Sequence, residues 1–165
     1  MKNIWLCVVL IMLLSCHGSR KKVISGLEGK PLPSFKMLLL DSVSYINTAN
    51  IPTGQPFVLF YFSPTCPYCR AQTEAIKNEF TTIKDIKFYF IAPFPIKEIK
   101  EFEQHYSLSN RPNFTFAQIR DTAFSKYYTI PGIPYMIIYN KNKMLKEILL
   151  GKTDVDVIRD VVLDK

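Results

Sequence analysis

The stretch FVLFYFSPTCPYCR, residues 57–70, joins a run of six apolar and aromatic residues to a pair of cysteines. The run follows a turn at Gly54 and shows no alternation between polar and apolar side chains. It therefore predicts a strand that is buried on both faces, as in a parallel sheet covered by helices. Cys66 and Cys69 then lie where this strand ends and a helix begins.

The rest of the chain predicts strands that alternate with helices, followed by a hairpin and a last helix. This order is typical of an α/β domain whose central mixed β-sheet is flanked by helices. The predicted elements are a hairpin over residues 35–47, a strand over 57–62, a helix with Ala71, Ala75, Ile76 and Phe80 on its apolar face, a strand over 86–91, a helix with Ile96, Ile99, Phe102 and Tyr106 on its apolar face, a strand over 114–119, a short helix over 121–128, strands over 134–140 and 144–151, and a final helix capped by Thr153.

The first residues, MKNIWLCVVLIMLLSC, have the layout of a secretory signal. Lys2 precedes an apolar run over residues 4–14, and small residues follow at Ser15 and Cys16. A membrane-spanning helix needs about 20 apolar residues, so this run is too short to favour a permanent span. The sequence therefore predicts export from the cytoplasm.

The end of this segment, LLSC, resembles the lipobox of bacterial lipoproteins. The resemblance implies cleavage before Cys16 and a lipid on its thiol, while an ordinary signal-peptide cleavage near Cys16 is the alternative. The polar and basic stretch that follows, HGSRKKVISG, is typical of a flexible tether. We therefore expect a signal peptide over residues 1–15, a lipidated cysteine with its tether over 16–26, and one folded domain over 27–165.

Composition narrows the functional classes. The chain carries a net charge of +7, but its Lys and Arg residues are spread out and form no run interleaved with aromatics. Nucleic-acid binding is therefore not predicted. Removing residues 1–15 of the 165 leaves 150, a length that suits one domain with one sizeable core.

The position of the two cysteines predicts different tasks for them. At the start of a helix, free backbone N–H groups and the helix dipole favour a thiolate, so Cys66 is the expected attacking sulfur. Pro67 suits the first helical turn because it needs no amide hydrogen there. Cys69, three residues on, lies on the same helical face and is the expected resolving thiol.

With these motifs in place, the chain resembles the thioredoxin superfamily, and within it the membrane-tethered TlpA/ResA-like branch. The hairpin segment GKPLPSFKMLLLD, the strand with its C-x-x-C helix, and the segment YTIPGIPYMIIYNKNK at 128–143 carry the resemblance. It implies a thioredoxin-like fold with an N-terminal hairpin and with extra structure between residues 92 and 127, ahead of the cis-proline strand. It also implies Cys66 as nucleophile, Cys69 as resolving thiol, Pro134 as a cis-proline, and an Ile133 backbone that pairs with the client chain.

The chain departs from the thioredoxin pattern around the cysteines. Thioredoxins carry a buried aspartate six residues before the first cysteine, where this chain has Phe60. The nearest acids by sequence are Glu74 and Glu147, and we expect both on the surface. The remaining neighbours predicted for the site are Phe62, Thr65, Pro67 and Tyr68.

Other interpretations of the cysteine pair stay open at this level. A zinc site normally needs four ligands, and beyond this pair the chain offers only His17 and His105 besides the leader cysteines. No metal site is therefore predicted, although two thiolates can bind Cu(I). A purely structural disulfide would close too short a loop to stabilise the fold much. A Pro-Tyr pair between cysteines also occurs in glutaredoxins, but the Gly-Gly turn that binds glutathione in that family is missing.

The resemblance implies a bacterial envelope enzyme that reduces disulfides in exported proteins, with an oxidase or isomerase as the alternative. Its only redox group would be the Cys66–Cys69 disulfide, with no further cofactor. Its expected partners are disulfide-containing exported clients, a membrane electron donor that reduces it again, and the lipid membrane through Cys16.

Overall fold

Within residues 22–108 and 110–164, which the computed structural model describes, eight strands form one mixed sheet. The strand order across the sheet is β1-β8-β7-β4-β5-β6-β2-β3. The strands are β1 (Lys22–Val23), β2 (Lys36–Leu39), β3 (Tyr45–Asn47), β4 (Phe57–Tyr61), β5 (Lys87–Ala92), β6 (Phe114–Ile119), β7 (Tyr135–Tyr139) and β8 (Leu145–Leu150). The α-helices in the described part of the chain are α1 (Pro67–Asn78), α2 (Ile96–Tyr106), α3 (Thr122–Tyr127) and α4 (Val155–Leu163).

Strand β4 lies in the middle of the sheet, parallel to β5 on one side and antiparallel to β7 on the other. Its alternating side chains enter two separate cores. Phe60 packs in the core that α1, α2 and α4 cover, whereas Phe57 and Leu59 pack in the core on the other face, with Phe124 of α3. The unbroken apolar run of this strand is therefore explained by burial on both faces, and the predicted α/β architecture is confirmed.

The predicted hairpin near the start of the domain is also confirmed. Strands β2 and β3 pair antiparallel, and the Asp41 carboxylate accepts hydrogen bonds from the amides of Val43 and Ser44. Ser42 has a φ of 64°, a left-handed conformation that the turn imposes on a residue other than glycine. Strand β2 continues the sheet by pairing with β6.

The buried face of α1 differs from the predicted one. Ala71 is exposed, and the helix ends at Asn78, so that Phe80 lies in a short 3-10 turn. The buried residues of α1 are Cys69, Gln72, Thr73 and Ile76. The polar ones are tolerated because their hydrogen bonds are internal: the Gln72 Oε1 atom accepts from the amide of Thr153, and the Thr73 hydroxyl donates to the carbonyl of Cys69.

The predicted cap of the last helix is wrong. Helix α4 begins at Val155 with Asp154 in the N-cap position, and the Asp154 side chain makes no capping hydrogen bond. Thr153 is buried instead. Its amide donates to Gln72 over 2.6 Å and its hydroxyl donates to the carbonyl of Gly151 over 3.3 Å. Thr153 therefore ties α4 to α1.

The folded domain starts earlier than expected. Strand β1 pairs with β8 in the register Lys22↔Leu149, and the amide and hydroxyl of Ser25 both donate to Glu28. The end of the predicted tether, from residue 22 to 26, thus belongs to the fold. The predicted signal peptide, Cys16 and the tether up to residue 21 lie outside the described residues. No helix in the described part has the length and apolar character needed to cross a bilayer.

Replacing Phe60 with alanine should lower the free energy of unfolding by about 3–5 kcal/mol, the usual cost of removing a fully buried ring. Its ring contacts those of Phe62 and Phe90, so the cavity would open beside the cysteine helix. Urea unfolding of the reduced protein measures the change. Tyr45→Ala, at a position 62% exposed, serves as the control and should change stability by less than about 0.5 kcal/mol. Equal losses in the two variants would contradict the described core.

Candidate active site

The two cysteines lie at the junction between β4 and α1, at one end of the sheet. After β4, the amide of Phe62 still donates to the carbonyl of Ile91, and residues 63–66 then lead into the helix. Cys66 occupies the N-cap position in extended conformation, and Pro67 is the first helical residue. The Cys66 Sγ atom accepts a hydrogen bond from the amide of Cys69 over 3.4 Å, as an N-cap side chain does.

Several hydrogen bonds hold the loop before Cys66. The amide of Cys66 donates to the carbonyl of Ser63 over 3.2 Å, and the hydroxyls of Ser63 and Thr65 lie 3.1 Å apart. One turn into the helix, Arg70 donates from Nε to the carbonyl of Pro64 over 2.8 Å. These bonds keep the loop in one conformation, so that Cys66 is presented from a fixed position.

The two thiols differ in their access to solvent. Both are free cysteines, but Cys66 is half-buried whereas Cys69 is 0% exposed and belongs to the core under α1. A large partner can therefore reach the sulfur of Cys66 but not that of Cys69. Cys69 is instead close to Cys66, whose Sγ atom accepts the hydrogen bond of the Cys69 amide.

Burial raises the pKa of the Cys69 thiol to about 12. The hydrogen bond and the charge of Cys66 raise this pKa further, while a hydrogen bond with the backbone of Ser63 acts in the opposite direction. At neutral pH Cys69 is therefore a neutral thiol. It has to lose its proton before it can attack a disulfide.

Neither acid suggested by the sequence lies beside Cys69. Glu74 is partly exposed and pairs with Lys77 over 3.6 Å. Glu147 is buried, contrary to expectation. It lies on β8 opposite Ile138 of β7, and Ile138 in turn lies opposite Val58 of β4. Glu147 is therefore far from the end of β4 that carries the cysteines. Phe60 shares the core with Cys69 in place of the thioredoxin aspartate.

The peptide bond between Ile133 and Pro134 is cis, as the resemblance predicted. The register Tyr61↔Tyr135 between β4 and β7 places Pro134 beside the end of β4, where the cysteine loop begins. The carbonyl of Pro134 accepts from the amide of Gly151 over 2.8 Å. Within the described residues, the backbone of Ile133 makes no hydrogen bond with another residue.

The remaining predicted neighbours divide into surface and core. Thr65, Pro67 and Tyr68 are exposed around Cys66, and Tyr68 is 68% accessible to solvent. Phe62 is fully buried, and its ring lies 4.7 Å from that of Phe102 on α2. Phe62 therefore supports the site from below and cannot touch a partner.

No role was predicted from the sequence for Arg70, Ser63 or Gln72. Arg70 follows Cys66 by four residues, a spacing that places it one turn along the helix and next to the loop before the cysteines. That spacing could have identified Arg70. No sequence signal points to Ser63 or to Gln72, whose partners come from the loop itself and from residue 153.

His105 lies on α2 with its ring against Tyr106 and is exposed. In the described part of the chain, no group of three or more His, Cys, Asp or Glu side chains converges in a way that could hold a metal ion.

The fold was compared with those of known proteins. No protein-family model and no curated protein sequence matches the chain. Similar solved structures include a secreted disulfide oxidoreductase of Mycobacterium tuberculosis homologous to E. coli DsbE, with 20% identity, a TM-score of 0.63, and coverage of 79% of this chain and 96% of that one. StoA from Bacillus subtilis is 16% identical with a TM-score of 0.62, covering 81% and 98% of the two chains. A thioredoxin-like protein from Aeropyrum pernix is 14% identical with a TM-score of 0.63, covering 80% and 89%.

These similarities show that the chain has a thioredoxin-like fold. The stretch between β5 and β7, where the resemblance predicts extra structure, contains α2, β6 and α3.

The raised pKa of Cys69 can be measured in a Cys66→Ser variant of a chain that starts at His17, in which Cys69 is the only thiol. Burial, the largest cause of the shift, persists in this variant. The ultraviolet absorbance of the thiolate should therefore stay absent through pH 9 and rise only at higher pH. The same variant unfolded in guanidinium should titrate near the ordinary value of about 8.5. A midpoint near 8.5 in the folded variant would contradict the burial of Cys69.

Proposed function

We propose that this protein is a thiol-disulfide oxidoreductase of the bacterial envelope that reduces disulfides in exported proteins. One observation carries the proposal: an accessible Cys66 at a helix N-terminus is paired with a fully buried Cys69 three residues on. This arrangement lets one sulfur meet a client while the other waits inside the protein to release it.

The reaction proceeds in two exchanges. The Cys66 thiolate attacks one sulfur of a client disulfide, so that a Cys66–client bond forms and the other client sulfur leaves as a thiolate. The Cys69 thiolate then attacks Cys66, which releases the second client sulfur and leaves a Cys66–Cys69 disulfide. The client gains two electrons and two protons. Cys69 releases one of these protons, and the other comes from solvent because Cys66 reacts as a thiolate.

Recognition of the client uses the segment before the cis peptide bond. The backbone of Ile133 lies at the same end of the sheet as Cys66 and has no hydrogen-bonding partner among the described residues. An extended client chain can therefore pair with it as an added strand. The exposed ring of Tyr68 offers apolar contact beside the reacting sulfur.

The proposed direction is reduction of the client. The resemblance to the TlpA/ResA-like branch supports it, as does an aliphatic Ile133 before the cis-proline. The short α2 and α3 between β5 and β7 do not amount to the large helical insertion of a DsbA-like oxidase. A membrane protein with a dithiol would then reduce the Cys66–Cys69 disulfide and be oxidised in turn.

The position of β1 is consistent with membrane attachment through a lipid on Cys16. Across the sheet, Lys22 of β1 pairs with Leu149 of β8, Leu149 with Met136 of β7, and Met136 with Phe60 of β4. Because Phe60 lies near the end of β4 that carries the cysteines, β1 starts near that end of the sheet. The six residue-to-residue steps from Cys16 to Lys22 can span at most about 21 Å. The lipid would thus hold the cysteine end of the domain close to the bilayer, where a membrane electron donor could reach it.

The proposed activity is tested by reduction of insulin with dithiothreitol. Wild-type protein should accelerate precipitation of the insulin chains well above the rate with dithiothreitol alone, and Cys66→Ser should abolish the acceleration because the attacking sulfur is gone. Cys69→Ser should instead accumulate a mixed disulfide on Cys66, visible as a mass increase. If wild type and Cys66→Ser gave the same rate, the proposal would be wrong.

The proposed anchor is tested by fractionating cells that express the protein. Cys16→Ser should move the protein out of the membrane fraction, because the residue that would carry the acyl chains is lost. Cys7→Ser, which changes the other leader cysteine, serves as the matched control and should leave the protein with the membranes. A Cys16→Ser protein that stays there to the same extent as wild type would contradict lipid anchoring.

A further inference from the structure

A groove of about 270 Å³ begins next to Cys66. Thr65, the residue before Cys66, lies at one side of it, together with Arg70 from the first turns of α1. Helix α2 forms the opposite side. Phe102 and Tyr106, both almost fully buried, form its apolar floor. The groove is therefore part of the surface that any partner of Cys66 would meet.

The sheet topology places this groove across Cys66 from Ile133. Strand β7, which follows the cis-proline, pairs with one edge of β4, while β5 pairs with the other edge. Helix α2 follows β5 and packs against β6, one strand further out. A client chain that pairs with Ile133 and reacts at Cys66 therefore continues toward the groove. Neighbouring strands lie about 4.8 Å apart, and β6 is two strands away from β4. About three residues of extended chain span that distance.

The charged side chains that line the groove are predominantly acidic. Glu98 and Glu101 lie one turn apart on α2, and Arg70 is the one Lys or Arg among the described residues that line the groove. Arg70 is held back against the cysteine loop by its hydrogen bond to the Pro64 carbonyl. His105 also lines the groove. The lining thus carries a net negative charge, although the chain as a whole carries +7.

Neither carboxylate is held tightly by another group in the described part of the chain, with Glu101 exposed and Glu98 partly exposed. Among the described residues Glu98 is in no ion pair. Glu101 lies 4.0 Å from Lys97, and both of these side chains are well exposed, so this pair holds Glu101 weakly. An approaching cation can therefore replace the solvent around both groups at little cost.

From this geometry we infer that the groove selects clients that carry a lysine or arginine about three residues from the reacting cysteine, on the side away from the segment paired with Ile133. The inference rests on the proposed function and adds a specificity site to it. Exposed charges of this kind act mainly on the rate of association and weaken as salt screens them. We expect an effect of about two- to fivefold on the rate, the range typical of one exposed charge pair.

The test uses two synthetic peptides that differ only in charge. Each carries one cysteine as a mixed disulfide with nitrothiobenzoate, and either lysine or glutamate three residues to each side. The protein is the full chain in detergent with Cys7, Cys16 and Cys69 changed to serine, so that Cys66 is the only thiol. Attack by Cys66 forms a Cys66–peptide disulfide and releases the coloured nitrothiobenzoate thiolate, whose appearance gives the rate.

The lysine peptide should react about two- to fivefold faster than the glutamate peptide at low salt, with the ratio approaching one at about 1 M salt. Glu98→Lys should abolish or reverse the preference, and Glu98→Gln should reduce it. Asp85→Lys makes the same charge change at an exposed acid outside the groove lining and should keep the wild-type ratio.

Equal rates for the two peptides would overturn the inference while leaving the proposed function standing. It would also be overturned if Asp85→Lys changed the ratio as much as Glu98→Lys, since the effect would then come from overall charge. A failure of Cys66 to react with either peptide would overturn the proposed function and this inference with it.

Discussion

The site depends on one constraint: a helix has to begin between two cysteines that are three residues apart. Because Pro67 starts α1, Cys66 stays at the N-cap, where its sulfur accepts the amide hydrogen of Cys69 and remains partly accessible. The same helical turn brings Cys69 back beneath Cys66 and into the core. The difference in burial between the two sulfurs, and with it the raised pKa of Cys69, follows from this single junction.

Because β4 lies in the middle of the sheet, the strands on its two sides determine which elements lie next to the two cysteines. Its antiparallel neighbour β7 brings the cis-proline to one side of Cys66, and the connection through β5 brings α2 to the other. A partner at Cys66 is therefore flanked by an open backbone at Ile133 and by the acidic groove under Glu98. In the proposed function, β4 supports the two cysteines, and the elements on either side would contact the client. Phe60, which shares the core with Cys69, provides no carboxylate that could take up the Cys69 proton.

Much of this arrangement follows from local patterns in the sequence. The apolar run of β4, the C-x-x-C helix start and the cis peptide bond at Pro134 were predicted correctly because each depends on residues close together in the chain or on a distinctive motif. The buried face of α1 was misassigned since Gln72 and Thr73 look like surface residues until Thr153 and the Cys69 carbonyl supply their partners. The burial of Glu147, a residue of β8, and the start of the fold at Lys22 were missed because both depend on the strands that pair with β8, namely β7 and β1. The spacing of Arg70 from Cys66 could have indicated its place beside the loop, whereas the groove along α2 depends on three-dimensional neighbours that the sequence does not reveal.

The reduction potential of the Cys66–Cys69 pair tests the central claim most directly. The protein would be equilibrated in buffers of reduced and oxidised glutathione, its free thiols alkylated, and the oxidised fraction determined by mass. Our account predicts a single two-electron transition near the value of about −270 mV found for thioredoxin. A potential near about −120 mV, typical of a strong disulfide-forming oxidant, or the lack of any Cys66–Cys69 disulfide across the range, would contradict a dithiol reductant.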